Sequence, residues 1–183
     1  MVKIYIDPGH GGDDSGATGH GLQEKNITLQ IALKIREELN KYNNATVKMS
    51  RMKDETVSLQ QRTNEANSWN ADYFVSIHIN SGGGTGFESY IYNQLSNTSK
   101  TAKMRSTLHN TVVKTNELKD RGKKKANFHV LRESKMSAVL TENGFIDTRA
   151  DANKLKDTTW INKVAKAHAE GIANIFNLKK KVN

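Results

Sequence analysis

The sequence lacks cysteine altogether and has a single proline, Pro8, among its 183 residues. Without cysteine there are no disulfide bonds, and thiolate metal sites and cysteine nucleophiles are excluded. Any metal ion must therefore be bound through nitrogen or oxygen. No proline-rich linker or internal repeat divides the chain. Its length suits one domain of roughly 100–200 residues with a single hydrophobic core.

Long apolar runs and acidic residues are also scarce. No run approaches the ~18 apolar residues of a membrane helix, so membrane insertion is not expected. The N-terminus enters what reads as a core strand, without the features of a secretory signal. The chain carries 28 basic against 19 acidic residues, a net charge of +9. This charge favours anionic surroundings, but wall polymers, nucleic acids and membrane surfaces satisfy it equally.

Strand-like and helix-like segments alternate along the chain. Runs rich in β-branched and aromatic residues predict strands over 2–6, 46–50, 73–79, 87–92, 128–131 and 138–141. Apolar residues at helical spacing predict four helices, two of them capped by Asn26 and Ser58 and two covering 101–118 and 161–176. A basic loop is expected over 121–127.

This alternation predicts an α/β fold with one domain, built on a mostly parallel twisted sheet with helices packed on both faces. The domain is expected to cover residues 1–177. Residues 178–183, which include Lys179, Lys180 and Lys181, are interpreted as a basic tail or the start of a linker.

Side chains able to bind a metal or move protons follow three of the predicted strands. His10 follows the first strand, His78 ends the central strand, and Glu142 ends a late one. Ligands bind at the carboxyl ends of strands in open α/β sheets, so these residues are expected to share one cleft. Glu24 is connected to His10 by a short segment of chain. Two imidazoles and one carboxylate form a hydrolytic zinc site, and a spare carboxylate beside it can act as a general acid and base.

Each of these residues also has a structural interpretation. His10 can simply occupy a turn, and His78 can be a hydrogen-bonded core histidine. Glu24 precedes a predicted helix, where an acidic side chain is favoured by the helix dipole. Glu142 lies in a buried run, where an arginine partner would offset the cost of its charge. The hydrolytic interpretation depends on the four side chains meeting.

Other polar residues are given supporting roles. Asp7 is expected to orient His10, and Arg62 to pair with a buried carboxylate. Asp13 and Asp14 are assigned to the loop. The remaining histidines are expected to be structural: His168 is a packing residue, and His20 and His109 are loop or surface residues. His129 is expected to pack, with a role as a further imidazole in the cleft as the alternative.

Four segments together resemble a known family. They are residues 7–12 (DPGHGG), 21–26 (GLQEKN), 76–80 (SIHIN) and 142–146 (ENGFI). In this order and spacing they resemble the zinc-dependent N-acetylmuramoyl-L-alanine amidases of the amidase-3 family. The resemblance implies zinc ligands at His10, Glu24 and His78, and a catalytic acid and base at Glu142. It also implies hydrolysis of the amide between the lactyl group of N-acetylmuramic acid and L-alanine in bacterial peptidoglycan.

The resemblance also sets expectations about setting and partners. The expected partner is peptidoglycan, and the positive charge suggests anionic wall polymers as a second partner. No nucleic acid partner is expected, and the chain is expected to be a monomer. Without an export signal, a phage or prophage endolysin made in the bacterial cytoplasm and released onto the wall is favoured. A sporulation or autolytic enzyme, which would be extracellular, is the alternative. Rival functions are a zinc hydrolase for another amide bond and a non-catalytic binder of polyanions.

Overall fold

A computed structural model describes residues 1–182 and contains a six-stranded sheet in the order β4-β1-β5-β8-β6-β7. The strands are β1 (Val2–Pro8), β4 (Ala45–Met49), β5 (Tyr73–Asn80), β6 (Phe87–Tyr92), β7 (Asp120–Ala126) and β8 (Ser137–Phe145). β4, β1, β5 and β8 run parallel, β6 is antiparallel to β8, and β7 is parallel to β6. A separate hairpin joins β2 (Thr18–Gly19) to β3 (Leu22–Gln23).

Six helices cover the two faces of this sheet. They are α1 (Glu24–Leu39), α2 (Leu59–Ser68), α3 (Lys100–Val113), α4 (His129–Arg132), α5 (Arg149–Leu155) and α6 (Thr158–Phe176). α1, α3 and α6 bury their apolar sides in the larger core, which includes Ile31, Leu108 and Ile172. Ala66, Val130 and Leu131, from α2 and α4, contribute to a smaller core on the other face. The expected α/β fold, with a mostly parallel sheet and helices on both faces, is confirmed.

Three local predictions are wrong. The basic loop expected over 121–127 is strand β7, and the strand expected over 128–131 is the short helix α4. Pairing with β6 outweighs the low strand propensity of lysine in β7. The first helix begins at Glu24, with Gln23 rather than Asn26 at its N-cap position. The site carboxylate is therefore on a helix, which fixes its backbone.

The segment after α6 folds back onto the domain. α6 ends at Phe176, and Asn177 caps it in a left-handed conformation with a φ of 52°. The backbone of Lys181 then donates to the carbonyl of Lys41, and the ammonium of Lys180 lies 5.8 Å from the centre of the Tyr42 ring. Residue 183 lies outside the described residues. Among residues 1–182, no helix combines the length and the apolar character needed to cross a membrane.

His168 is a packing residue of the larger core, as the sequence predicts, and it is completely buried. One ring nitrogen, Nδ1, lies 2.8 Å from the carbonyl oxygen of Val164 and donates to it, since a carbonyl can only accept. The other, Nε2, therefore accepts from the Thr141 hydroxyl at 3.1 Å. Burial lowers the pKa of His168 to about 4. The folded protein thus holds this imidazole neutral.

Replacing His168 with glutamine is expected to change how stability depends on pH. The folded pKa of about 4 lies below the unfolded value of about 6.5, so only the unfolded chain gains a proton between these values. The neutral ring makes its full contribution to the free energy of unfolding above pH 6.5. This free energy falls by about 3 kcal/mol as the pH is lowered to 4. Urea unfolding at several pH values should show wild-type stability falling more steeply than that of His168→Gln. Parallel profiles would contradict this, and the exposed His20→Gln is the control.

Candidate metal and catalytic site

The ends of the parallel strands bring the four predicted site residues to one edge of the sheet. His10 lies two residues beyond β1, His78 is near the end of β5, and Glu142 is in β8. β5 and β8 are neighbours, and His78 and Glu142 are directly paired in their register. Glu24, in the first turn of α1, completes the group. The strand order therefore explains how residues 132 positions apart meet.

His10, Glu24 and His78 form a compact set of metal-binding atoms. One donor atom from each residue lies within 4.8 Å of the other two. The Glu24 carboxylate lies between the two rings, with Oε2 at 3.1 Å from His10 Nε2 and Oε1 at 3.0 Å from His78 Nδ1. Two imidazole nitrogens and a carboxylate oxygen are the donor set of hydrolytic zinc sites. The residues thus fit a zinc ion in both chemistry and proximity.

Hydrogen bonds outside this set fix the donor atoms in place. The Asp14 carboxylate lies 2.7 Å from His10 Nδ1, which leaves His10 Nε2 facing Glu24. The backbone amides of Ala17 and Ile79 each donate to a different oxygen of Glu24, at 2.9 Å. A carboxylate on the second ring nitrogen sets the tautomer of a metal-binding histidine and raises its basicity.

Asp14, not Asp7, orients His10, which corrects the prediction from the sequence. Asp7 instead accepts hydrogen bonds from Ser50, Ser76 and Arg62, each between 2.7 and 2.8 Å. Burial opposes ionisation of Asp7, but the Arg62 charge and these hydrogen bonds outweigh it and hold the pKa of Asp7 below its usual value. The predicted buried ion pair of Arg62 is therefore confirmed.

Two glycines leave room for the rings and the carboxylate. A Cβ at Gly9 would lie 2.3 Å from the His78 ring, and one at Gly16 would lie 2.7 Å from Glu24 Oε2. His10 itself has a φ of 61°, a left-handed conformation that is uncommon for residues other than glycine. The turn after β1 accepts this conformation while presenting the His10 ring to Glu24.

The charges of the cluster reinforce one another. Burial favours the neutral carboxyl of Glu24, but hydrogen bonds and charge interactions with His10 and His78 outweigh it and lower the pKa of Glu24 well below its usual range. Burial also opposes protonation of His10, yet Glu24 and Asp14 raise the pKa of His10 overall. The site therefore holds a carboxylate anion that attracts positive charge, whether a proton or a metal cation.

Glu142 differs from Glu24 in having no partner of opposite charge. Its Oε2 is buried and makes no hydrogen bond, so the arginine partner considered from the sequence is not present among residues 1–182. Burial, and then the charges of Glu24 and Glu88, raise the pKa of Glu142 well above its usual value. Such a carboxyl can hold a proton where neighbouring carboxylates cannot.

Glu142 and the histidines line a common cavity of about 220 Å³. Its lining includes His10, His78 and Glu142 together with the apolar residues Leu59, Phe128 and Val130. His129 also lines this cavity, so it is not purely a packing residue. The rings of His10 and His78 and the carboxyl of Glu142 thus face one cavity with apolar walls, which is typical of ligand-binding sites.

The sequence does not predict the polar contacts of His109 and of Asp14. His109 is buried rather than on the surface, and it bridges Ser89 at 2.8 Å and Asp120 at 2.9 Å. Asp14 lies in the loop, as expected, but also bonds to His10, and its spacing of four residues from His10 is the signal in the sequence. His20 is exposed, as expected. The contacts of His109 depend on β6, α3 and β7 packing together, which no local signal reveals.

The chain is similar to peptidoglycan amidases along nearly its whole length. The sequence model of a family described as N-acetylmuramoyl-L-alanine amidase matches residues 4–174. The sporulation-specific N-acetylmuramoyl-L-alanine amidase of Bacillus subtilis is 60% identical over 181 residues, covering 98% of this chain and 70% of that protein. The endolysin of Bacillus phage SPP1 is 46% identical over 182 residues, covering 97% of this chain and 67% of that protein.

Solved structures give the same result. An N-acetylmuramoyl-L-alanine amidase from Clostridium difficile 630 superposes with a TM-score of 0.93 and 34% identity, covering 97% of each chain. The catalytic domain of CwlV, an amidase of the same description from Bacillus (Paenibacillus) polymyxa, superposes with a TM-score of 0.92 and 35% identity. The alignment covers 98% of this chain and all of that domain.

Proposed function

Since this chain belongs to the N-acetylmuramoyl-L-alanine amidase family, we propose that it hydrolyses the lactyl–L-alanine amide of peptidoglycan with a zinc ion. His10, Glu24 and His78 hold the ion, and Glu142 is the catalytic acid and base. The supporting observation is that three metal-binding atoms lie within 4.8 Å of one another and that both histidines share a cavity with Glu142.

The zinc ligands come from two strand ends and one helix. Bound zinc supplies Lewis-acid polarisation of a carbonyl and activation of water at neutral pH. Asp14 keeps His10 Nε2 available as a donor, while the amides of Ala17 and Ile79 hold both oxygens of Glu24. The ligands are thereby ordered before the ion binds, which lowers the entropy that binding must overcome.

Glu142 moves the protons of the reaction. Its carboxylate takes a proton from the attacking water, and the resulting carboxyl delivers it to the amine nitrogen of the departing L-alanine. The unpartnered Oε2 leaves the side chain free for both transfers. Amide hydrolysis needs this second transfer because an amine leaves only when its nitrogen is protonated.

The biological outcome that we propose is lysis of the cell wall. The relatives include a sporulation amidase and a phage endolysin. Whether this chain acts in sporulation or in phage release, the substrate that we propose is peptidoglycan. We place the catalytic unit at residues 1–177, because Asn177 ends the last helix, and residues 178–183 form the basic segment that follows it.

Digestion of purified peptidoglycan tests this function directly. We expect one zinc ion per purified chain by elemental analysis, and new amino groups on L-alanine without new reducing sugar ends. Removal of the metal by a chelator should abolish the digestion, and added zinc should restore it. New amino groups on another residue would indicate a peptidase of different specificity. Full digestion by metal-free protein would contradict the zinc mechanism.

A further inference from the structure

The positive charge of the chain is concentrated in one stretch. Residues 100–135 contain 11 basic and 3 acidic residues, a net charge of +8. The other 147 residues contain 17 basic and 16 acidic residues, a net charge of +1. The charge is thus a property of α3, β7 and α4 with the loops between them, and not of the whole surface.

Within this stretch α3 packs beside β7, whereas α4 lies on the other face of the sheet. β7 is the last strand of the sheet, and no strand among residues 1–182 pairs with its outer edge. α3 lies beside it, with Lys100 and Lys103 exposed on the helix and Lys114 exposed at its C-cap. Lys103 and Lys114 are three helical turns apart, or about 16 Å along the axis, and so point to the same side. Lys123 and Lys125 are exposed on β7. We call these five lysines the basic face.

The acidic residues of the stretch do not neutralise the basic face. Glu117 pairs with Lys154 and Lys163, which lie outside the stretch. Asp120 pairs with His109, and Glu133 pairs with Arg132. Among residues 1–182, none of the five lysines of the basic face has a carboxylate within 4.0 Å. The face therefore carries charge that no nearby carboxylate compensates.

A structural role accounts for only part of the basic face. Lysines on an edge strand oppose pairing with the edges of other molecules, which explains Lys123 and Lys125. Lysines on the solvent side of α3 have no edge to protect. Mutual repulsion of uncompensated lysines also destabilises the folded state, and a polyanion bound along the face would relieve it.

The basic face lies beside the catalytic cleft and not within it. None of its five lysines lines the cavities around His10 and His78. Two other cations of β7, Arg121 and Lys124, turn inwards and pair with buried Glu88. Glu88 is opposite Glu142 in the register of β6 and β8. A polymer on the basic face would thus lie two strands from the catalytic carboxyl and leave the cleft open.

We propose that the basic face binds a phosphodiester-linked anionic polymer of the bacterial wall while the adjacent cleft acts on peptidoglycan. The choice of a wall polymer rests on the proposed function, which places the chain at the wall. Phosphates repeated along a flexible chain match a row of exposed ammonium groups, each of which gains favourable charge interactions without a preformed pocket. Binding of this kind weakens as salt screens the charges.

The triple variant Lys103→Gln, Lys114→Gln and Lys123→Gln tests the proposal. With purified poly(glycerol phosphate) as the probe, we expect its affinity at low salt to fall by roughly 10- to 100-fold. The slope of log affinity against log salt should also become shallower by about 2 to 3, because fewer counterions are released. Hydrolysis of a small soluble muramoyl peptide should be unchanged, since the three lysines lie outside the cleft.

A second triple variant is the matched control. Arg149→Gln, Lys156→Gln and Lys179→Gln remove three exposed charges elsewhere, and both variants have a net charge reduced from +9 to +6. The control should bind the polymer nearly as well as wild type. Equal losses in the two variants would mean that only net charge matters, and tight binding by the first variant would also overturn the proposal.

Two further measurements separate the possible failures. Weaker binding of wild type to the polymer than to double-stranded DNA of equal charge would overturn a wall polymer as the occupant. Wild-type binding to the polymer without any hydrolysis of the muramoyl peptide would refute the proposed function and leave the basic face as a binding surface. Hydrolysis without polymer binding would refute the basic face alone.

Discussion

Glu142→Gln is expected to lower kcat by about 10²- to 10⁴-fold, the usual contribution of a general acid and base. Glutamine has nearly the same shape, so the cavity with His10 and His78 is preserved, but its amide cannot exchange protons with water or the leaving amine. The substitution also removes a carboxyl whose buried Oε2 has no hydrogen-bond partner among residues 1–182. The folded protein is therefore expected to be at least as stable as wild type. Initial rates of peptidoglycan digestion, with thermal unfolding, measure both effects.

The same substitution at Glu24 provides a matched comparison. Glu24→Gln changes one atom in a carboxylate of the same cleft, but this carboxylate lies between His10 and His78. We expect Glu142→Gln to retain one zinc ion per chain and Glu24→Gln to lose it. If Glu142→Gln lost zinc while Glu24→Gln kept zinc and lost turnover, the roles assigned to the two carboxylates would be reversed.

His78→Ala is expected to weaken zinc binding by more than about 100-fold, beyond the range seen when only an outer partner of a ligand is removed. The imidazole supplies one of three donor atoms, and alanine leaves Glu24 Oε1 without the ring at 3.0 Å. Peptidoglycan digestion should fall to the level of the chelated enzyme. Metal content by elemental analysis, at a fixed free zinc concentration, separates loss of the ion from loss of chemistry.

His20→Ala is the control for this experiment. The side chain of His20 is exposed and hydrogen-bonds to the carbonyl of Asp147, at 3.2 Å, so its loss should leave zinc content and digestion unchanged. Should His78→Ala bind zinc as tightly as wild type, His78 would not be a ligand. A variant that loses zinc only because it has unfolded would show this by circular dichroism, and His78→Gln would then replace it.

The candidate site was largely readable from the sequence because its residues occur in short segments with defined positions. His10, His78 and Glu142 each follow an apolar run, and a parallel sheet brings the ends of such runs to one edge. The alternation of strands and helices likewise determined the fold class. The spacing of apolar residues placed His168 in the core, and burial of Arg62 against a carboxylate followed from its position on an amphipathic helix.

The partners of polar side chains were decided only by tertiary structure. Asp7 and Asp14 are both close to His10 in sequence, but β1 directs Asp7 towards Arg62, and the turn after it directs Asp14 towards His10. Similarly, the lysine-rich segment of β7 is a strand because β6 offers it an edge. Apolar periodicity is a local property that a sequence displays directly. A hydrogen-bond partner or a strand neighbour is chosen by which elements pack together, and that choice depends on the whole chain.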